Sequence, residues 1–540
     1  MGRMNRKTLA VALLAILVML VLLRIFNVGH VLGYDEAWNV NSVIDVSSGH
    51  TGDVFYNNFL RHPPLYTGLG ALYSLVTGAG RIGVSQGMET MSLLFAAALA
   101  VVIFFCSRDW FGDLAGLTAA FFFAIMPAAR VYDTLVKQES MTLLFAMLFV
   151  LFFFRGKYLP SGVFLGLAML TKEIFIFAPV AVLLFLLATR RLKEIKWLFA
   201  SLAVGAVMSF WWYLIVSLSK GEFLRFFLGR SVESANWRQS WHYYLGRIPA
   251  DIGWVVLAAA LAGVVFTVMH VRKEGWPGWS APALAGENAA GAEQEGGAAA
   301  QRWQLALLPL TWILFVYLFL SLSLGKPPWL IYSALPAFAI LGGWGVSEGY
   351  RVVSAKLKAV KMPLHLRGGT VAKAAVGVVL VAALALSLPV GFASFLKRAD
   401  PTYRYSLTYK RVADYMNQGM STDGRVMLRV TDFSPNLAFY LKSYYPDSVL
   451  LLGEQSPRDG RIQEQGHTVF IFERDKNLKT VEDQMLGVEP DFVMIRPGFK
   501  SADGTDIAAA LAGLVQPVRF DGVWVFDGRE LSNALEQANP

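Results

Sequence analysis

The sequence contains little charge and almost no cysteine. Cys106 is the single cysteine among 540 residues and lies in an apolar run, which excludes an internal disulfide and a cysteine-rich metal site. Charged residues make up only 16% of the chain, while 55% of it is hydrophobic. A water-soluble protein of this length does not need so much apolar surface, so the composition indicates a membrane protein.

Long apolar runs dominate the chain up to residue 393. Many of them reach about 18 residues or more, the length that a membrane-spanning helix requires. Phe, Leu and Ala repeat through them without the alternation of a β-barrel. We therefore predict a polytopic α-helical protein of the plasma membrane, with about 11 spans and additional interfacial helices. The net charge of +9 lies mostly in the loops, so it reports topology rather than nucleic-acid binding.

The positions of the basic residues predict the topology. The start MGRMNRK places the N-terminus in the cytoplasm, and the apolar run after it is expected to remain as a signal anchor, because no small-residue cleavage site follows. Arg155, Lys157 and the cluster 190–196 mark later cytoplasmic loops. Reading back from Arg155, residues 64–80 must start and end outside, which predicts an interfacial or re-entrant helix. The last span, 371–393, leaves the C-terminus outside.

The turn that contains Lys172 is predicted to lie below the outer membrane surface. Two full spans need about 40 residues, and only 32 residues separate Lys157 from Arg190. A lysine at that depth is costly, so an ionisable group there is a candidate functional residue. The alternative is a Lys172–Glu173 pair whose charged ends reach the interface.

Two adjacent carboxylates, Asp35 and Glu36, follow the first apolar run in the sequence GYDEAWNV. An ionised group at the mouth of a membrane helix is costly unless it is paired or used. A solvated helix start is the alternative, since acids favour the first turn of a helix. The next outer loop holds Arg61 and His62 in the sequence RHPPLY.

The predicted outer loop 218–251 is unusually basic for that side of a membrane. Its cations are Lys220, Arg225, Arg230, Arg238 and Arg247. Such a loop runs against the positive-inside tendency, so an anionic partner is expected. Aromatic residues between the arginines suit an amphipathic helix on the bilayer surface. The partner is either a substrate phosphate or the anionic headgroups of the membrane.

Beyond residue 393 the composition becomes that of a soluble domain. Strand-like runs such as GRVMLRV and TVFIFER alternate with amphipathic helical runs such as YKRVADYMNQ. This pattern predicts a soluble α/β domain with a largely parallel sheet. It contains no GxGxxG or Walker loop, so no nucleotide is assigned to it. The chain is thus expected to divide into a membrane domain, 1–393, and an extracytoplasmic domain, 394–540.

The predicted topology gathers acids and bases on the outer face of the membrane. The set is Asp35, Glu36, Arg61, His62, Asp133, Lys137, Glu139, Lys172, Arg230, Arg247 and Lys326. It suits transfer of a group from a lipid phosphate, with a carboxylate as general base and cations that neutralise the departing phosphate. A metal ion is the competing use of the acids. We expect no metal and no other cofactor, because the seven histidines show no HExxH or similar spacing.

Several motifs in register connect the chain to a known superfamily. They are YDEAW, RHPPLY, VKQES, LTKE, the aromatic-basic outer loop, and GKPPWLIYSALPAFAIL. Over residues 1–345 their order and spacing resemble the GT-C superfamily of polyprenyl-phosphate-sugar glycosyltransferases. The closer match is to the branch that holds the protein O-mannosyltransferases and the lipid A aminoarabinose transferases.

The resemblance implies an inverting transfer of a sugar, with Asp35 as the base. Glu139 falls where the family has a second-loop acid, and His62 occupies a basic position that faces the phosphate. Lys172 and Lys326 match lysines of the family's TK and K-P motifs, although Glu173 replaces the glycine common after TK. The predicted catalytic residues are Asp35, Glu36 and Glu139. The residues predicted to bind the donor phosphate are Arg61, His62, Lys172, Arg230, Arg247 and Lys326.

The implied partners are a polyprenyl-phosphate-linked sugar, membrane lipids, and an acceptor that is a protein, a lipid or a glycan, with no nucleic acid. A lipid or sugar transporter, or a flippase without transfer chemistry, is the alternative. It should show repeat symmetry and helices broken near the midplane, whereas no internal repeat is visible here. A scaffold that only displays the C-terminal domain would leave the external cations unexplained.

Overall fold

A computed structural model describes twelve stretches of the chain. They are residues 4–49, 63–220, 239–274, 302–323, 325–359, 368–387, 403–419, 426–429, 469–472, 491–495, 505–520 and 523–538. The chain forms two compact units. The first unit comprises Met1–Gly29, His62–Tyr66 and Met88–Ala399, and the second comprises His30–Arg61, Thr67–Gly87 and Asp400–Pro540.

The described chain up to residue 387 is almost entirely helical. In order, the α-helices are α1 (Arg6–Ile25), α2 (Tyr34–Ser48), α3 (Leu65–Thr77), α4 (Arg81–Phe111), α5 (Asp113–Ile125), α6 (Pro127–Tyr132), α7 (Glu139–Phe154), α8 (Tyr158–Met169), α9 (Phe177–Ala188), α10 (Ile195–Lys220), α11 (Tyr243–Ile252), α12 (Trp254–Glu274), α13 (Leu307–Leu322), α14 (Leu335–Ala359) and α15 (Gly368–Ser387). Short 3-10 helices lie at Glu173–Ile176, Leu192–Glu194, Arg302–Ala306 and Pro328–Ala334.

Six helical stretches among the described residues are long and apolar enough to cross a membrane. They are Arg6–Ile25, Arg81–Phe111, Leu192–Ile215, Trp254–Glu274, Trp303–Leu322 and Pro328–Leu357. Shorter apolar helices, among them α5, α7, α8 and α9, lie where further spans were expected. The protein is therefore a multi-pass helical membrane protein. The total of 11 spans, and the interfacial position of α3, stay predictions.

The helices on either side of Lys172 are short. Helices α8 and α9 each contain 12 residues, about 18 Å of helix, against about 30 Å for a bilayer core. Helix α8 packs against α10 through small residues: a Cβ added at Gly205 would lie 3.1 Å from the backbone nitrogen of Gly166. Such close approach of backbones is typical of membrane helix pairs. These lengths are what a turn below the membrane surface requires, and the depth of Lys172 itself stays a prediction.

The second unit contains a five-stranded sheet. Its strands are β1 (Val426–Arg429), β2 (Val469–Phe472), β3 (Phe492–Ile495), β4 (Val518–Phe520) and β5 (Val523–Asp527), in the spatial order β2-β1-β3-β5-β4. β1 pairs in parallel with β2 and β3, whereas β3 with β5 and β4 with β5 are antiparallel. The described sheet is therefore mixed, and only one edge has the parallel pairing expected from the sequence.

Three described helices belong to the same part of the chain as this sheet. They are α16 (Tyr403–Gly419), α17 (Ile507–Ala512) and α18 (Gly528–Ala538). Buried apolar side chains from β3, β5 and the last two helices form its core, including Val493, Phe526, Leu511 and Leu531. The burial of these side chains is what holds the helices on the sheet. An independent domain over 394–540 stays a prediction.

Candidate active site

A buried turn between α6 and α7 carries several of the candidate residues in the first unit. Residues 133–139 are all buried, although the sequence DTLVKQE includes two acids and a lysine. Helix α6 begins at Pro127 and ends after six residues at Tyr132. The turn that follows it leads directly to Glu139, the first residue of α7. An acid at the first position of a helix is stabilised by the helix dipole.

Glu139 and Lys172 form an ion pair. The Lys172 ammonium donates to Glu139 Oε1 at 2.5 Å. The side chain of Lys172 is 11% exposed, and that of Glu139 is 1% exposed. Glu139 Oε2 is buried and has no hydrogen-bond partner among the described residues. One carboxylate oxygen is thus paired with a cation, and the other retains its capacity to accept a hydrogen bond.

Lys172 contacts an acid from another part of the chain, Glu139. Lys172 precedes the 3-10 helix Glu173–Ile176 in an extended conformation. This geometry gives it a partner 33 positions back in the chain. Sequence reasoning identified both residues separately and did not identify the pair.

A second buried pair lies in the same turn. Arg24 Nε donates to Asp133 Oδ2 at 2.7 Å, and both side chains are fully buried. The guanidinium also donates from Nη1 to the Ala124 carbonyl oxygen at 2.8 Å. The hydroxyl of Tyr332 donates to Asp133 Oδ1 and lies 3.2 Å from the Ser140 hydroxyl. Both oxygens of Asp133 therefore have donors, so this pair ties α1, the 133–139 turn and the Pro328–Ala334 segment together.

Sequence reasoning missed Arg24 altogether. The residue lies inside the first apolar run, where an ionisable group requires a partner, so its position was the available signal. Lys137 is also engaged: its ammonium lies 3.4 Å from the centroid of the Trp329 ring, a cation–π contact. Trp329 belongs to the KPPW motif, which connects the turn to the region of Lys326.

Lys326 is buried in the segment between α13 and α14. Lys326 is only 4% exposed, and its ammonium donates to the Ser323 carbonyl oxygen. Burial lowers the pKa of this lysine from its usual value. The Tyr244 hydroxyl donates to the Pro327 carbonyl oxygen at 2.8 Å, which attaches α11 to this segment.

Arg247 also lies on α11, and its partner is Asp251, one turn later. Arg247 Nη2 donates to Asp251 Oδ1 at 2.9 Å, and the guanidinium lies 5.6 Å from the centroid of the Tyr243 ring. Burial raises the pKa of Asp251 to about 6, while the Arg247 guanidinium opposes the shift. Helix α11 covers the end of the predicted outer loop, and Arg247 in it is engaged with a carboxylate; an amphipathic helix on the bilayer surface stays a prediction.

Asp35 and Glu36 lie in the second unit, at the start of α2. Glu36 accepts a hydrogen bond from the backbone N–H of Gly33 at 2.7 Å, the backward half of a capping box. It also lies 3.0 Å from His30 Nε2. Asp35 is half-buried in the first turn of the helix. Glu36 is thus engaged in the local structure at the start of α2.

The remaining predicted site residues, Arg61, His62 and Arg230, lie outside the described residues. Among the residues that are described, no three His, Cys, Asp or Glu side chains are grouped as metal ligands would be. The structure brings Glu139 and Lys172 together and connects the segments of Lys326 and Arg247. The assignment of roles to all of these residues stays a prediction.

Part of the chain matches a known protein family. Residues 61–213 match the family model described as dolichyl-phosphate-mannose-protein mannosyltransferase. This region includes Glu139 and Lys172. A comparison with curated proteins by sequence finds no match.

Solved structures share the fold over nearly the whole chain. ArnT from Cupriavidus metallidurans in the apo state matches with a TM-score of 0.59 and 17% identity, covering 97% of each chain. The same protein bound to undecaprenyl phosphate matches with a TM-score of 0.60 and 17% identity, covering 96% of this chain and 97% of that one. The Archaeoglobus fulgidus oligosaccharyltransferase tethered with an acceptor peptide matches at 0.53 and 11% identity, over 91% of this chain and 69% of that chain.

The chain therefore shares the GT-C fold of these solved structures. Within that class, the resemblance to the branch of ArnT and the protein O-mannosyltransferases, expected from the motifs, is confirmed.

Proposed function

We propose that this protein is an inverting glycosyltransferase that moves a sugar from a polyprenyl-phosphate donor to an acceptor at the outer face of the membrane. The single observation that carries the proposal is the Lys172–Glu139 pair, a buried cation beside a carboxylate with one unpartnered oxygen, inside the region that matches the family model. Support for the donor comes from the ArnT structure, which was solved with undecaprenyl phosphate bound.

In the proposed reaction, Asp35 removes the proton from the acceptor nucleophile as that nucleophile attacks the anomeric carbon of the sugar. The bond between the anomeric carbon and the phosphate oxygen breaks, and the electron pair leaves with the polyprenyl phosphate. Attack from the side opposite the phosphate inverts the configuration at that carbon. The departing phosphate gains negative charge, which is stabilised by cations placed in advance of the reaction.

Lys172 and Lys326 are the described lysines proposed to bind the phosphate, together with Arg247 and the predicted contributors Arg61, His62 and Arg230. Lys172 is already paired, so binding of the phosphate would add a second anion on the ammonium's remaining N–H groups or displace Glu139. The unpartnered Glu139 Oε2 supports a role in contacting the acceptor or the sugar. The contacts of Glu36 with Gly33 and His30 favour a supporting role for that acid. The family resemblance implies Asp35 as the base.

The proposed topology has the N-terminus in the cytoplasm and the domain 394–540 outside the cell. The acceptor is a protein, a lipid or a glycan. A transporter or flippase remains the second candidate, and it differs in one measurable respect: it moves the lipid or the sugar without cleaving the bond between sugar and phosphate.

The test is Asp35→Asn, which keeps the size of the side chain and removes its basicity. Purified protein is incubated with lipid-linked sugars extracted from membranes, and transfer is followed by mass spectrometry as loss of sugar from the polyprenyl phosphate. We expect transfer to fall by at least about 100-fold, with donor binding and thermal stability nearly unchanged.

The matched control is Asp109→Asn, the same chemical change at an acid that pairs with Arg155 on the predicted cytoplasmic side at 2.8 Å. This control should retain transfer. Full transfer by Asp35→Asn would reject Asp35 as the base. Movement of intact donor without cleavage by the wild type would favour the transporter.

A further inference from the structure

A second cluster of cations lies between α9 and α10 and includes none of the residues assigned to the transfer reaction. The segment 190–196, sequence RRLKEIK, holds four cationic side chains and one carboxylate. Topology predicts it to be cytoplasmic. Most of its members are exposed, as expected for a loop at a membrane surface, but Arg191 is only 7% exposed. A buried arginine in an exposed basic loop requires an explanation.

The guanidinium of Arg191 is incompletely satisfied. Its Nε and Nη1 are buried and have no hydrogen-bond partner among the described residues. The nearest carboxylate oxygen, Glu194 Oε1, lies 3.8 Å from Nη1, which is beyond hydrogen-bond distance. The ring of Phe185 lies 5.6 Å from the guanidinium carbon and covers one side of it. Unpaired donors of a buried cation are costly, so an arginine held in this way is poised to bind an external anion.

The backbone around Arg191 is fixed by a left-handed residue and by two hydrogen bonds. Arg190, the residue before it, has a left-handed conformation with φ of 56°, which is costly for a residue other than glycine. The backbone N–H of Arg191 donates to the Leu186 carbonyl oxygen at 2.8 Å, and the Arg191 carbonyl accepts from the N–H of Glu194 at 3.0 Å. The turn is therefore closed on both sides of Arg191, and its side chain is directed by a defined backbone.

Aromatic residues beside the cluster are typical of a membrane interface. Trp197 is 40% exposed and stacks on Tyr158, with ring centroids 4.7 Å apart and parallel planes. The ammonium of Lys196 lies 5.0 Å from the centroid of the Trp197 ring. Leu192 and Phe199 are exposed apolar residues nearby in sequence. Tyrosine and tryptophan favour the depth of lipid headgroups, so the cluster lies where phosphates of the bilayer surface are found.

The geometry points to a binding site for an anionic phospholipid headgroup at Arg191, on the predicted cytoplasmic side of the membrane. The N–H groups of Nε and Nη1, which lie on different edges of the guanidinium, can each donate to an anionic oxygen. Exposed Arg190, Lys193 and Lys196 raise the local concentration of anionic lipid. This site uses none of the residues of the proposed donor site and does not depend on the proposed function.

The test measures how phosphatidylglycerol stabilises the full-length protein in detergent, relative to phosphatidylcholine, with thermal unfolding and native mass spectrometry as readouts. The wild type should retain phosphatidylglycerol and show a higher Tm with it. Arg191→Gln should weaken retention by on the order of tenfold. Lys193→Gln, the matched control that removes one exposed charge, should weaken it far less, because exposed charges are screened.

Two further variants keep the test valid if Arg191→Gln folds poorly. Arg191→Lys keeps the charge and loses the planar guanidinium, and we expect weakened retention. Glu194→Gln removes the carboxylate that faces the guanidinium, and we expect stronger retention of phosphatidylglycerol. Because these variants act in opposite directions, a general loss of stability does not reproduce the pattern.

A separate arm with inorganic phosphate distinguishes the source of the anion. We expect a much smaller shift in Tm from phosphate than from phosphatidylglycerol, and an equal shift would overturn the lipid assignment. Equal stabilisation of the wild type by phosphatidylglycerol and phosphatidylcholine would overturn the site. Unchanged phosphatidylglycerol retention in both Arg191→Gln and Arg191→Lys would do so as well.

Discussion

Two buried ion pairs lie six positions apart in the same turn and differ in how completely they are satisfied. In the Arg24–Asp133 pair, the guanidinium and the Tyr332 hydroxyl supply donors to both carboxylate oxygens, and both side chains are fully buried. In the Lys172–Glu139 pair, one carboxylate oxygen has no partner among the described residues, and the lysine side chain is 11% exposed.

The difference separates a structural role from a chemical one. A buried pair in which every acceptor oxygen already has a donor has no free acceptor for a ligand. Breaking such a pair costs a large amount of folding free energy. A pair with an unused acceptor and a partly accessible cation is able to exchange or add partners. We propose from this comparison that Asp133 holds the turn in place and that Glu139 takes part in transfer. Matched amide substitutions at the two acids test this division.

The largest effect is expected for Asp133→Asn. This variant leaves the Arg24 charge buried without its counter-ion, and breaking a buried pair in this way costs about 3–5 kcal/mol. We expect low yield of folded protein and a strongly lowered Tm in detergent, measured by thermal unfolding. Any loss of transfer should follow the loss of folded protein. A Tm equal to that of the wild type would remove Asp133 from its structural role.

Glu139→Gln should have the opposite profile. The amide keeps the shape of the side chain, and Lys172 can still donate to its carbonyl oxygen, so the change in Tm should be smaller than for Asp133→Asn. Transfer per folded molecule should fall about 100-fold. The measurement is the transfer rate normalised to folded protein in both variants. If Asp133→Asn and Glu139→Gln lowered transfer and Tm in the same proportion, the proposed difference between the roles of the two acids would be wrong.

The expected effect of Tyr332→Phe is intermediate. It removes one donor to Asp133 and the contact with the Ser140 hydroxyl, while Arg24 continues to hold the carboxylate. The loss of one hydrogen bond to a charged group costs about 1.5 kcal/mol. Thermal unfolding should show a decrease well below that of Asp133→Asn. Ser140→Ala is the control, since it removes the contact on the other side of Tyr332 and should change Tm less.

The smallest effect is a change in pH dependence at Lys326. Burial lowers the pKa of this lysine, so its positive charge is lost at lower pH than for an exposed lysine. Donor affinity should therefore weaken on the alkaline side at a pH below the usual lysine pKa of about 10.4. Lys326→Arg should extend binding to higher pH, because arginine stays charged.

The sign of the stability effect at Lys326 is opposite to that on binding. A lysine whose pKa is lowered in the folded state gains folding stability as the pH rises through that pKa, because the buried charge is relieved. Weakened binding at alkaline pH together with unchanged or higher Tm is thus the expected combination. A parallel loss of Tm and binding in this range would contradict it.

Much of the helical architecture was predictable from the sequence because apolar length and loop charge determine where spans can lie. The shortness of the helices on either side of Lys172 was predictable from the number of residues between two basic loops. Glu139 and Lys172 were identified by residue type and motif. The mixed sheet differs from the expected parallel one because β4 and β5 pair as neighbours, and strand-like runs alone do not carry pairing direction.

The pairing of the charges was not predictable in the same way. Arg24 and Asp133 are 109 positions apart, and their contact depends on how α1 packs against α5 and α6. Lys172 had an acid next to it in sequence, yet the extended backbone before Glu173–Ile176 directs it to Glu139. Side-chain partners across helices follow from helix packing, which a single sequence does not encode in any local pattern.

The most direct measurement is mass spectrometry of the lipids that copurify with the wild type and with Lys172→Met, which keeps the length of the side chain and removes its charge. We predict that the wild type carries polyprenyl phosphate, with or without its sugar, and that Lys172→Met loses most of it per folded molecule, with folded protein measured by thermal unfolding because the change also breaks a buried pair. Equal amounts of polyprenyl phosphate on both proteins, or none on the wild type, would contradict the assignment of the Lys172–Glu139 pair to the donor.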